Sequence, residues 1–69
     1  MHDIIIRSEP VELYKILKFE GLAASGGEAK QLIASGEVRV NGALETRKRK
    51  QICAGDTLEF NGELYRITL

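Results

Sequence analysis

Two Asn-Gly pairs, Asn41-Gly42 and Asn61-Gly62, constrain this chain more than any other feature. Both central residues of a type I′ turn need positive φ, which glycine adopts freely and asparagine tolerates, and such a two-residue turn sends the chain back antiparallel to itself. The flanking residues agree with that geometry. Glu37-Val38-Arg39-Val40 alternates polar with β-branched before the first pair, and Ala43-Leu44-Glu45-Thr46 can return beside it. Thr57-Leu58-Glu59-Phe60 alternates before the second pair, and Leu64 to Leu69 returns. The chain is therefore expected to form two hairpins, joined through Gln51-Ile52-Cys53 and an Ala54-Gly55-Asp56 turn. Ile4 to Ile6 adds a short β-branched strand at the start.

Between that strand and the first hairpin the period is helical. Leu13, Ile16 and Leu17 recur at helix spacing from Val11 to about Glu20, with Glu12, Lys15 and Lys18 toward water and Pro10 placed at the first helical position. Gly21 is positioned to end this helix in the left-handed conformation, with Leu22 folding back on Leu17. Ser25-Gly26-Gly27-Glu28 is a capping box, so a second helix starts there. It buries Ala29, Leu32 and Ile33, and stops at Gly36. These elements predict an α+β fold: two short helices packed on a small, mainly antiparallel sheet, in a single domain over residues 1–69.

Sixty-nine residues, 43% hydrophobic and 29% charged, suffice for a modest core. The longest uninterrupted run of branched aliphatics is Ile4-Ile5-Ile6, far short of the roughly 20 residues that span a bilayer. No membrane partner and a cytoplasmic location are expected. His2, at an end expected to fray, and Cys53, read as a small core or boundary residue, are the only histidine and cysteine. They suggest neither a backed nucleophile nor a zinc site. No phosphate-cradling or dinucleotide glycine motif occurs, so no catalytic residue, metal, cofactor or small-molecule substrate is expected.

Charge carries the functional signal. Ten cations balance ten carboxylates, yet residues 30–50 hold Lys30, Arg39 and Arg47-Lys48-Arg49-Lys50 against only Glu37 and Glu45, leaving this block four positive charges in excess. Four consecutive cations repel one another, and in a strand two of them would point at the core, so the run should lie at an edge or bulge outward. Arg39 should face away from Val38 and Val40. On helix two, Gly27, Lys30 and Ala34 share a flank beside the buried stripe. Small residues around Lys30 would let a polyanion approach closely, or would simply let the helix pack near the sheet. Tyr14 with Lys18 offers a base a stacking surface beside a cation, or is a boundary tyrosine.

The run from Phe19 to Gly42, closed by Ala54-Gly55-Asp56-Thr57-Leu58, resembles the S4-like RNA-binding domain of ribosomal and RNA-modifying proteins. Leu13, Leu17, Gly21, Ser25, Ala29, Ile33, Gly36, Val38, Val40, Asn41, Gly42, Gly55 and Asp56 carry the resemblance by their spacing. The Ser25-Gly26-Gly27 start and the Thr46 to Lys50 run are similar to stand-alone bacterial members that consist of this domain alone. The resemblance implies the S4-like (αL motif) fold and an RNA-facing surface that includes Ser25, Gly27, Lys30, Gln31, Arg39, Arg47, Lys48, Arg49 and Lys50. Many members have a basic residue where this chain has Glu12 and an arginine where it has Gly26, which shifts the burden of binding to Arg47 through Lys50.

The function expected is therefore non-catalytic recognition by a monomer of structured RNA, ribosomal or transfer RNA, chiefly through phosphate contacts. A protein-interaction module with an acidic partner is the alternative. A β-grasp sulfur carrier shares the Val-x-Val-Asn-Gly hairpin, but its chemistry needs a terminal Gly-Gly where this sequence has Ile67-Thr68-Leu69.

Overall fold

Both Asn-Gly pairs turn as their chemistry demands, with φ of 52° and 82° at Asn41 and Gly42, and 55° and 80° at Asn61 and Gly62. Around them the computed structural model, which describes residues 1–69, arranges β1 (His2–Ile5), β2 (Val11–Glu12), α1 (Leu13–Phe19), α2 (Gly26–Ala34), β3 (Val38–Val40), β4 (Ala43–Leu44), β5 (Gln51–Ile52), β6 (Thr57–Phe60) and β7 (Glu63–Thr68). Five strands form one sheet in the order β1-β7-β6-β3-β4. All its pairings are antiparallel except β1 with β7, which run parallel in the register Ile4 opposite Ile67. A separate two-residue ribbon pairs β2 with β5, Val11 opposite Ile52.

Alternation decides which side chains point inward. Val38, Val40, Leu58, Ile67 and Ile4 leave one face of the sheet and meet Leu13, Ile16, Leu17, Ala29 and Ile33 from the helices in a single apolar cluster. The connection between the helices is fixed by backbone bonds. Gly21, at φ 72°, closes α1 with Leu22 N donating to Leu17 O at 2.9 Å and its own N–H to Lys18 O at 3.2 Å. Four residues, Gly21 to Ala24, separate the Glu20 and Ser25 caps. Ser25 Oγ accepts from Glu28 N at 3.1 Å while Glu28 Oε1 accepts from Ala24 N, so the capping box forms with the glutamate reaching one residue further back.

Several expectations are corrected. The first helix begins at Leu13, not at Pro10, because Val11 and Glu12 are drawn into the ribbon with β5, and the cap is Glu12. Cys53 is exposed: Ile52 takes the inward position on β5, so the next side chain turns out. His2 is held within β1, its ring 5.3 Å from that of Tyr65 and its Nε2 2.9 Å from Glu63. Asn41 does more than turn the chain, since its Oδ1 accepts from Thr57 N at 2.9 Å and its Nδ2 donates to Asp56 Oδ1 at 3.1 Å. That clamp ties the first hairpin to the Gly55-Asp56 turn. No helix is long and apolar enough to cross a membrane.

Candidate nucleic-acid interface

The basic run from Arg47 to Lys50 occupies a turn between β4 and β5, with Lys50 N donating to Arg47 O at 3.3 Å. It bulges from the sheet, which removes the conflict that four cations in a strand would create. Its backbone is anchored where a helix needs partners. The amides at the start of α1 have no partner within the helix, and two of them are satisfied by this turn: Leu13 N donates to Lys50 O at 2.9 Å and Tyr14 N to Lys48 O at 3.1 Å. The run is thus both a cationic loop and the N-terminal cap of α1, which otherwise lacks a side-chain cap.

Two carboxylates position the loop's arginines. Glu45 is buried, with 8% of its surface exposed, and takes three hydrogen bonds from Arg47: from the backbone N at 3.0 Å, Nε at 2.9 Å and an Nη at 3.1 Å. The hydrogen bond from the guanidinium is the main reason that its carboxyl sits below its ordinary value of 4.5, outweighing burial, which pushes the other way. Glu12 holds Lys15 at 3.2 Å through one oxygen and Arg49 at 3.4 Å through the other. An acid at this position therefore aims two cations.

A folded-state pKa below the unfolded one means that Glu45 stabilises the fold above the unfolded value, and that this contribution is lost as pH falls through the depressed value. Glu45→Gln removes the titrating group. Thermal melts across the acid range should therefore show the gap between wild type and Glu45→Gln closing as the medium becomes more acidic than ordinary carboxylate values. A gap independent of pH would mean that the Arg47–Glu45 pair adds nothing through its charge.

The structure brings the loop and α2 together around one ring. Lys30 Nζ lies 4.6 Å from the centroid of Tyr14, Arg49 Cζ 5.7 Å and Lys15 Nζ 6.0 Å, so cations from α2, the basic turn and α1 share a single aromatic side chain. A Cβ on Gly26 would sit 3.8 Å from this ring and 3.9 Å from Lys18 Cδ, which places the start of α2 against the same face of α1. Gly27 borders open space apart from Ser25, and Gln31 is exposed beside Lys30. Ser25 spends its oxygen on the cap, leaving its hydroxyl proton free to donate.

Arg39 is placed apart. It alternates to the sheet face opposite the helices, where its neighbours across the strands are Glu59 and Leu44. Tyr14, Lys15 and Lys18 belong to the cationic face as built, and the sequence singled out Tyr14 only as a possible stacking surface beside Lys18. The missing signal was the pairing of Val11 with Ile52, which carries the basic turn onto α1. The one sizeable groove, about 580 Å³, is lined by Ile4 to Ser8 with Val11, Ile16, Phe19 and Glu20. At about 100° per residue, Ile16, Phe19 and Glu20 stand on the other side of α1 from Tyr14 and Lys18, so this groove is no part of the cationic face.

A family model described as S4 domain matches residues 4–68. The protein YbcJ of Escherichia coli (strain K12) is 51% identical over 57 residues, which is 83% of this chain and 81% of that one. The solution structure of E. coli YbcJ, described as revealing an αL motif involved in RNA binding, matches with a TM-score of 0.74 and 44% identity, covering all of this chain and 89% of that one. The crystal structure of 30S ribosomal protein S4e from Thermoplasma acidophilum matches with a TM-score of 0.72 and 31% identity over 87% of this chain and 32% of its own.

Proposed function

This chain belongs to the S4 domain family, and from that premise we propose that it is a non-catalytic RNA-binding module that docks structured RNA on the cationic face of α1, α2 and the Arg47 to Lys50 turn. The observation that carries the proposal is the convergence of Lys30 and Arg49, from elements far apart in sequence, on the Tyr14 ring. Cations gathered this way repel one another; Glu12 and the Tyr14 ring offset part of that repulsion, and a bound polyanion would offset the rest. Arginine contributes a planar fork for phosphate oxygens, and lysine a mobile charge. The αL motif of YbcJ and the ribosomal setting of S4e support RNA as the partner; ribosomal or transfer RNA is the class we propose.

In this reading Lys30, Lys48, Arg49 and Lys50 take phosphates directly. Ser25, Gly27 and Gln31 form the close-approach edge along α2. Arg47, with its guanidinium committed to Glu45 on one side and 72% of its side chain exposed, presents its remaining N–H groups. Arg39, on the far face of the sheet, lies off this docking face. Residues 1–69 act as one domain. Phosphate contacts set position and carry little sequence information, so selectivity comes from RNA shape.

Lys30→Glu is the direct test. Lys30 makes no salt bridge and its Nζ lies over the Tyr14 ring, so the substitution should leave the melting temperature nearly unchanged. Each phosphate contact is worth about five-fold in affinity near 0.15 M salt, and reversing the charge costs at least that. Binding measured by filter retention or anisotropy on a structured RNA should weaken accordingly. A large loss of thermal stability would mean that Lys30 is structural. Pull-downs before and after ribonuclease treatment separate the acidic-protein reading, because protein partners that persist without RNA would favour it.

A further inference from the structure

We propose that the Tyr14 ring is a stacking platform for one unpaired RNA base, with Lys30 and Arg49 holding the phosphates on either side of that nucleotide; this deepens, and rests on, the RNA-binding reading above. Tyr14 is the aromatic side chain of the cationic face. Phe19 stands on the groove side of α1 with Lys18 Nζ 5.8 Å from its ring, Tyr65 stacks with His2 on the sheet, and Phe60, half-buried like Tyr14 itself, has no cation over its ring. The Tyr14 backbone is held by Lys48 O, so the ring keeps a fixed position relative to the basic turn. Gly26 leaves the neighbouring edge of the ring uncovered where any longer side chain would lie over it.

The present occupants of the ring are replaceable. Lys30 and Arg49 sit 4.6 and 5.7 Å from its centroid; Arg49 is exposed and Lys30 half-buried. A base stacked on an aromatic ring gains more than a solvent-exposed cation over the same ring, and the displaced cations find phosphates within reach. A base in an A-form duplex is unavailable, being paired and stacked between its neighbours, so the platform selects an extruded or looped nucleotide. This gives a shape-reading surface a point of discrimination that phosphate contacts do not supply.

The test compares two RNA hairpins identical except that one carries a single bulged 2-aminopurine. Wild-type protein should bind the bulged hairpin about 5- to 150-fold more tightly than the fully paired one, and should quench the 2-aminopurine fluorescence. Tyr14→Phe should retain the preference. Tyr14→Ala should lose the preference and the quenching. Equal wild-type affinity for both hairpins, or a preference that survives in Tyr14→Ala, overturns the stacking site and leaves the RNA-binding reading standing. Failure to bind either hairpin at low ionic strength overturns both. The wild-type comparison decides the matter even if Tyr14→Ala does not fold.

Discussion

Replacing Lys48, Arg49 and Lys50 together by alanine should lower RNA affinity by about two orders of magnitude near 0.15 M salt while leaving the fold intact. The estimate follows from counterion release. Each phosphate contact contributes roughly 0.9 to the slope of log affinity against log salt on duplex-like nucleic acid, so three lost contacts flatten it by about 2.7. Extending those slopes to about 1 M salt, where the release term vanishes, makes each contact worth about five-fold at 0.15 M. The fold survives because what this turn gives α1 is backbone: the carbonyls of Lys48 and Lys50 that accept from Tyr14 and Leu13. Alanine keeps them.

Arg47 is treated separately for a physical reason. Its guanidinium neutralises the nearly buried Glu45, and removing it leaves a carboxylate with little solvent and one backbone donor. The variant in which all four residues are alanine should therefore show the same flattened slope with an added loss of stability, about 1–3 kcal/mol. Salt titrations of both variants, alongside circular dichroism, check the two effects independently. An unchanged slope in a folded Lys48, Arg49 and Lys50 variant refutes the placement of RNA on this face.

The elements that were legible in the sequence are those whose information is local. Asn41-Gly42 and Asn61-Gly62 needed nothing beyond their own φ preferences to specify the hairpins, and Ser25 with Glu28 announced α2 in four residues. What was hidden depends on pairings between distant segments. Nothing near Val11 says that it will lie opposite Ile52, yet that ribbon shortens α1, moves its start past Pro10 and turns the basic run into a cap. The parallel union of β1 with β7 likewise has no turn to advertise it. The candidate site shows the same division. Arg47 through Lys50 stood out as a charge run, whereas the gathering of Lys30 and Arg49 over Tyr14 is a product of the ribbon. Glu45 read as a neutralising acid and Glu12 as a water-facing helix position, and they are in fact the groups that aim Arg47 and Arg49.

If the ribbon is what connects core to site, Ile52→Ala should damage both. Ile52 is fully buried and sits on the two-residue strand whose partner leads directly into α1. Truncating a buried isoleucine costs about 2–5 kcal/mol, from lost transfer energy and the cavity left behind. A chain of this length has a total stability of about 3–10 kcal/mol, so the loss takes a large share of it. The melting temperature should fall by about 10 °C or more. The pattern of loss is more informative than its size. The amides of Leu13 and Tyr14, which reach the turn's carbonyls across the ribbon, should lose hydrogen-exchange protection before the β6–β7 amides do, because the Asn61-Gly62 hairpin has its own local closure. Saturating RNA should restore protection at those two amides first, since a ligand that binds the closed turn stabilises it by mass action. Uniform exchange across the molecule, with no priority at Leu13 and Tyr14, would show that the basic turn is held by the domain as a whole and that the ribbon is not the link between burial and binding.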